Sequence, residues 1–331
     1  MKTANRATLP VICLLALTGC CLPLNPPPRD SVASVRTIVD EYNANAGKTP
    51  YFRLEARIQA TIYSKQGVSL LRYGTLVGPP NATILLARNE EDPAGPDDFT
   101  FYVREATRKV FGAGVSSLDG LYYFFYGLGD NSDAVVGRTA LAGAPGVEAM
   151  PIDPLQLATV FGMTPLPGDL STFPTVTQRM KMDCPYAYIL SVIDRQAVSG
   201  QAVVKRDMYF TWSAEKPRQL YRIVFVNQRG LDVMQAELGD YKPLDVSELF
   251  DPPAKPPVMP HTLKLTWLDG QTGKRSARLE ISISKAHTPD LLYEEAVRFE
   301  HIVPGSLQGR ARLIDAELAP QTLPAEQRGT P

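Results

Sequence analysis

Histidine is almost missing from this chain: His261, His287 and His301 are the only three in 331 residues. No two of them stand four apart, the spacing that sets a pair of ligands on one helix face, so the sequence offers no zinc site of that kind. Cysteine is also scarce, with Cys13, Cys20, Cys21 and Cys184 making four, too few for a disulfide framework. No apolar run approaches the roughly 20 residues that a helix needs to cross a hydrocarbon core. Charge of either sign is not in excess: 34 Lys and Arg face 35 Asp and Glu. A basic field for nucleic acid or for anionic lipid is thereby excluded. G-x-S-x-G elbows, phosphate-binding loops and dinucleotide fingerprints are absent too.

The four cysteines are unevenly placed, and the adjacent pair closes the one notable apolar run. Lys2 and Arg6 precede Leu9–Leu17, and the small residues Thr18 and Gly19 lead into Cys20. This is the layout of a secretory signal peptide. Leu17-Thr18-Gly19-Cys20 resembles a bacterial lipobox, which implies removal of residues 1–19 and a covalent lipid, N-acyl diacylglyceryl, on Cys20. The alternative is an ordinary signal peptide with incidental cysteines. Several acyl chains together anchor a protein stably, each buried CH₂ adding about 0.8 kcal/mol. Losing Lys2 and Arg6 leaves a formal charge of −3. Cys21 stands where an aspartate would mark inner-membrane retention, which points to an outer-membrane lipoprotein facing the periplasm. The prolines of Leu22–Asp30 predict an extended spacer. Cys184 is either inert or paired with Cys21.

Beyond the spacer, Val32, Val35, Ile38, Val39 and Tyr42 recur at helical spacing between an N-cap at Asp30 or Ser31 and a stop at Gly47. Then the period changes. Phe52, Leu54, Ala56, Ile58, Ala60 and Ile62 alternate with polar residues, as in a strand with one dry and one wet face. Further strands are expected near 68–77, 82–88, 99–105, 108–113, 121–127, 186–194, 202–212, 219–227 and 231–238. Two more run through Leu263/Leu265/Trp267 and Leu279/Ile281/Ile283, and a last contains Val297 and Phe299. Asp153-Pro154 opens a short helix closed by Gly162. The prolines at 252–260 read as a crossover within one sheet. The expected fold is mainly β (α+β), a curved antiparallel sheet or half-barrel of about 10–11 strands lidded by short helices. It forms a single domain over 31–315 with a flexible tail at 316–331.

Candidate chemistry is thin. Ser282 and Lys285 match S-x-x-K, but an odd offset on a regular strand puts them on opposite faces. Glu90, Glu91, Asp92, Asp97 and Asp98 cluster in an acidic loop without calcium-loop spacing. Asn81-Ala82-Thr83 is formally a glycosylation sequon, irrelevant beside a bacterial lipobox. Isolated histidines on β surfaces are expected to be solvated. An enzyme reading survives only through carboxylate pairs, which leave no linear signature.

The helix ending "YNANAG", the strand "FRLEARIQATI", the run "PRQLYRIVFVNQRGLDVMQAEL" and the closing "MPHTLKLTW", "ARLEISISK" and "VRFEHIVPG" together resemble the LolA/LolB-type lipoprotein carriers. The resemblance covers about 31–305 and implies a half-barrel that holds acyl chains on its concave apolar face, with no enzymatic activity. It implies lipid, lipoprotein acyl chains or a periplasmic carrier protein as partners. On this reading Ile58, Ile62, Phe101, Phe210 and Trp212 are the candidate lining residues. The competing expectation is a structural or assembly lipoprotein whose core is closed. A lined cavity of several hundred Å³ separates the two.

Overall fold

The computed structural model describes residues 32–48, 51–64, 68–87, 97–128, 131–162, 164–170, 173–183, 185–193, 196–198, 201–212, 218–244, 256–287 and 297–316. Strict alternation over Tyr51–Tyr63 (β1) buries all six of its predicted inward residues in one apolar cluster, while Arg53 opposite them is exposed. The same logic repeats through β2 (Ser69–Gly74), β3 (Ala82–Ala87), β4 (Asp98–Glu105), β5 (Arg108–Ser116), β6 (Leu121–Leu128) and β7 (Asn131–Arg138). It resumes in β8 (Thr175–Lys181), β9 (Ala187–Ile193), β10 (Gln196–Val198), β11 (Gln201–Thr211), β12 (Leu220–Asn227), β13 (Asp232–Pro243), β14 (Val258–Leu268) and β15 (Arg275–His287), with β16 at Arg312–Leu313.

All sixteen strands belong to one curved open sheet, ordered β16-β7-β6-β5-β4-β3-β1-β15-β14-β13-β12-β11-β9-β8, with β2 on β1 and β10 on β11. Every pairing is antiparallel except β16 on β7. The half-barrel is as expected, but it has more strands than the ten or eleven foreseen. β7 carries Ser132, Asp133 and Gly137, and the edge strand β8 is mostly half-exposed, so neither shows clean alternation. The proline-rich 252–260 region is not a crossover, because β13 and β14 are neighbours, with Pro243 opposite Val258. The true crossover is 139–174, which links β7 near one edge of the sheet to β8 at the other.

β1 sits at a fork. Its first half pairs with β3 and its second half with β2, so the backbone at Ile58 has no ladder partner on that side. Asn81 replaces one: its Oδ1 accepts from Ile58 N–H at 2.9 Å, and its Nδ2 donates to Ile58 C=O at 3.3 Å. Gly74, at φ +72°, lies so close that a Cβ there would fall 2.0 Å from the Ile58 carbonyl.

The inner face is filled by the chain itself. Helix α1 (Val35–Ala46) begins at Ser34, whose hydroxyl accepts from Thr37 N–H at 3.1 Å, and ends at Gly47 as predicted. Ser34 is the N-cap; Asp30 and Ser31 lie outside the described residues. Ile38, Val39 and Tyr42 bury against the sheet, and Asn43 ties the helix to Leu166 of the crossover through both its side-chain oxygen and nitrogen, each at 2.8 Å. Within the crossover, a short helix α2 (Leu157–Val160) is followed by Phe161, whose ring packs on Phe52 and Phe99 at 6.3 and 5.7 Å between centres.

The five consecutive aromatics of β6 have two separate uses. Tyr122 and Phe124 join the inner core, whereas Tyr123 and Phe125 lie in a second cluster on the outer face. That outer cluster is roofed by helices α3 (Phe299–Ile302) and α4 (Gly305–Gln308). Val297 and Phe299 therefore do not form the strand expected of them: a helical turn directs Ile302, Val303 and Leu307 onto one apolar patch, which a strand would split between two faces. Glycines opposite the aromatics make the room. A Cβ on Gly112 would fall 2.7 Å from Phe125, and one on Gly114 would fall 2.5 Å from Tyr123.

Candidate functional site

The inner face opens into a cavity at one mouth of the half-barrel. A cavity of about 270 Å³ opens between the end of β1 (Ile62, Tyr63), the start of β13 (Val233, Met234) and the end of β14 (Trp267, Leu268). The crossover closes it with Ala149, Met150, Pro151, Asp153 and Gln156. A smaller cavity of about 150 Å³ lies on the other side of Ala149–Pro151, lined by Phe124, Tyr126, Val135 and Ile314 with an Arg312–Glu148 ion pair beside it. The three residues 149–151 line both.

The larger cavity is mainly aliphatic and aromatic, with its polar groups mostly committed to structure. Asp269 Oδ1 accepts from Gln271 and Thr272 backbone N–H groups and from the Thr272 hydroxyl, fixing the β14–β15 turn. Asp153 Oδ1 accepts from Leu155 N–H at 2.9 Å. Trp267 is 5% exposed and its indole N–H has no hydrogen-bond partner among the described residues. An unpaired N–H in apolar surroundings costs free energy that an oxygen acceptor would recover.

Of the five candidate lining residues, Ile62 borders this cavity and the other four line neither. Ile58 and Phe101 are completely buried in the packed core. Phe210 meets the Tyr42 ring of α1 edge-on at 6.0 Å. Trp212 stacks on Tyr188 at 4.4 Å and 8°, beside the Arg218 guanidinium, which is paired with Glu41 of α1. Phe210 and the Trp212 stack thus border the chain's own helix. Met150, Val233 and Met234 were missed: alternation shows which residues face inward, but not where along a strand the interior stops being filled.

The remaining candidates serve structure. Asp98 accepts from the Ser117 N–H and hydroxyl, and Asp97 accepts from the Thr164 hydroxyl at 2.8 Å, holding the crossover. Glu90, Glu91 and Asp92 lie outside the described residues, as do Cys20, Cys21 and Cys184. A bulge shifts the β1–β15 register so that Ser282 faces Arg57 and Lys285 faces Glu55, both outward positions. The two thus share the outer face, not opposite faces, and neither lines a cavity. Among the described residues no group of three or more His, Cys, Asp and Glu is placed to hold a metal ion.

His261 departs from expectation by being buried, at 8% exposure. Burial depresses its pKa, Lys242 adds to the effect, and a hydrogen bond with the Ile283 backbone and the charge of Asp240 oppose it. Below the unfolded value of 6.5, the unfolded chain therefore binds more protons than the folded one, and stability falls as pH drops through that window. We expect the urea midpoint to fall between about pH 7.5 and about pH 5.5, with a smaller fall in His261→Gln. An equal fall in the variant would show that His261 is not the titrating group.

No family model and no curated protein matches the sequence. Among solved structures, the chain is similar to the LolA superfamily protein NE2245 from Nitrosomonas europaea, at 7% identity and TM-score 0.43, covering 82% of this chain and 100% of that one. It is similar to an outer-membrane lipoprotein-sorting domain from Vibrio parahaemolyticus, at 13% identity and TM-score 0.42, covering 81% and 97%. A DUF1329 family protein from Desulfovibrio piger gives 10% identity and TM-score 0.43, covering 82% and 100%. The likeness to LolA-type proteins is one of overall form and carries no residue-level correspondence.

Proposed function

We propose that this chain is a lipoprotein of the cell envelope that receives one aliphatic chain in the mouth cavity. The observation that carries this reading is the cavity of about 270 Å³ bounded by Ile62, Met150, Met234 and Trp267. An acyl segment entering it leaves water at a gain of about 25 cal/mol per Å² of apolar area. The volume falls just below the roughly 300–1,000 Å³ of drug-sized sites, which suits a single chain segment and not a whole diacyl lipid. Asp153 and Asp269 disfavour an anionic headgroup at the rim.

In this proposal Cys20 carries the covalent lipid, residues 20–30 are the tether, and the body faces the periplasm from the outer membrane. A soluble carrier protein is the fitting donor or acceptor of the chain. No helix among the described residues is long and apolar enough to cross a membrane.

The test is uptake of a fluorescent fatty acid, together with native mass spectrometry of protein purified from cells. Ser276→Leu paired with Ala149→Trp fills the cavity from two positions of its wall. We expect affinity to fall at least about tenfold, the equivalent of 1.4 kcal/mol, with folding retained. The second reading, a structural lipoprotein with a closed core, is favoured by the complete burial of Ile58 and Phe101. A protein that takes up no fatty acid and co-purifies with no lipid would establish it.

A further inference from the structure

The chain enters its fold beside a free sheet edge. Ala33 N–H donates to the Tyr188 hydroxyl of β9 at 3.1 Å, and Ala33 C=O accepts from Gln178 Nε2 of β8 at 2.9 Å. β8 pairs with β9 on one side and with no strand among the described residues on the other. Eleven residues separate Cys20 from Val32, so the tether, twelve steps long, reaches at most about 40 Å at 3.3–3.6 Å per residue. Whatever surface holds Cys20 therefore lies within about 40 Å of this edge.

The edge is also unusual in what it exposes. Phe173, just before β8, is 68% exposed, Met182 just after it is 51% exposed, and Ile193, beside Thr175 in the ladder, is 43% exposed. Edge strands are commonly protected by charge or cover, and large apolar side chains at both ends are not protection. Between them the outer face carries Arg179 and Lys205, both on the buried carboxylate of Asp207, and Lys181 beside Asp183. Two cations sharing one anion leave the middle of this strip slightly positive, in a chain whose net charge is negative.

We infer that the β8 edge is the face of the body that lies against the lipid surface, with Phe173, Ile193 and Met182 entering the interfacial layer. The occupant is a bilayer, chosen over a protein because the tether emerges at this edge and because the exposed residues are those that partition to an interface. The inference rests on the Cys20 reading. It goes beyond that reading in stating which side faces the lipid. The β2 hairpin is the rival surface: Val68, Leu70 and Val77 are exposed there, Val77 at 81%, but nothing ties the entry of the chain to that side.

The full-length protein, expressed with its leader and reconstituted in phosphatidylethanolamine–phosphatidylglycerol vesicles, tests this. Intact mass first shows whether the diacylglyceryl group is present; its absence overturns the Cys20 reading and this inference together. In lipidated protein, Phe173→Trp and, separately, Val77→Trp add one tryptophan to the native two. Brominated lipids are expected to quench most of the emission added by Phe173→Trp and little of that added by Val77→Trp. The reverse pattern places the β2 hairpin on the membrane and overturns the inference. Quenching of neither, in protein of confirmed mass, does so as well, and a blue shift at Phe173→Trp without lipid quenching reassigns the edge to a protein partner.

Discussion

Phe161→Ala is expected to lower the stability of the fold by about 3–5 kcal/mol and, at the same time, to increase fatty-acid uptake. The ring is 1% exposed and is the crossover's main aromatic contact with the sheet, lying against Phe52 of β1 and Phe99 of β4. Its removal deletes contacts from both partners and leaves a void in a region where Ile152, Leu157 and Val160 are themselves fully buried. For a domain of this size the loss corresponds to a drop in Tm of on the order of 10 °C. The rise in uptake follows from connectivity: residues 149–151 separate the two cavities, and loosening the segment that carries them lets the spaces join. Calorimetry and a fluorescent fatty-acid titration on the same preparation check both halves. A destabilised variant with unchanged uptake would mean that the crossover is a fixed part of the core.

Gly114→Val should be comparably damaging on the other face. Its Cβ would stand 2.4 Å from the Thr100 hydroxyl and 2.5 Å from that of Tyr123, in a place where neither can retreat. Tyr123 shares a hydrogen bond with Thr100 at 2.8 Å and donates to Val297 C=O at 2.9 Å. Displacing the ring therefore overpacks the site and also detaches the segment that leads into α3 and α4. The cost is expected at about 3 kcal/mol or more, from strain of about 1–3 kcal/mol plus the lost buried hydrogen bonds. Limited proteolysis should then cut near 297–310 before the rest of the body, whereas wild type resists there. Cleavage spread evenly over the chain would refute the assignment of Tyr123 as the roof's attachment point.

The sheet was readable because β1, β14 and β15 alternate without interruption, and period-2 alternation over a dozen residues has no other meaning. Its edges were not. β8 has one pairing side and half-wet faces, so the pattern that reveals a strand is diluted where the sheet ends. The inner cover was misjudged for a different reason. Short helices were expected to lid the sheet, and within 139–174 only the helix opening at Asp153-Pro154 offered itself as cover. In the fold the irregular backbone of that segment buries Val147, Ile152, Leu166 and its neighbours as fully as a helix would. Ile58, Phe101 and Phe210 lie in the inner core and border neither cavity; that the interior is filled by the chain itself depends on tertiary packing. An engineered charge at Ile58 would unfold the protein before it reported on a ligand, which is why the cavity tests use Ala149 and Ser276.

The fork at β1 has one more consequence, and it concerns time. The first strand of the chain pairs with β15, Arg53 meeting His287 and Ile62 meeting Ala277. The centre of the sheet therefore cannot assemble until nearly the whole chain is present. Loop-closure entropy must be met before such distant pairs contribute, which makes folding slow for a domain of this size. A chain crossing a membrane amino end first, as the lipobox reading requires, would keep the β15 side of β1 open throughout passage. During that interval the apolar face of β1 is accessible to chaperones and to other chains. On that reading an aggregation hazard arises already during delivery, before β15 closes against β1.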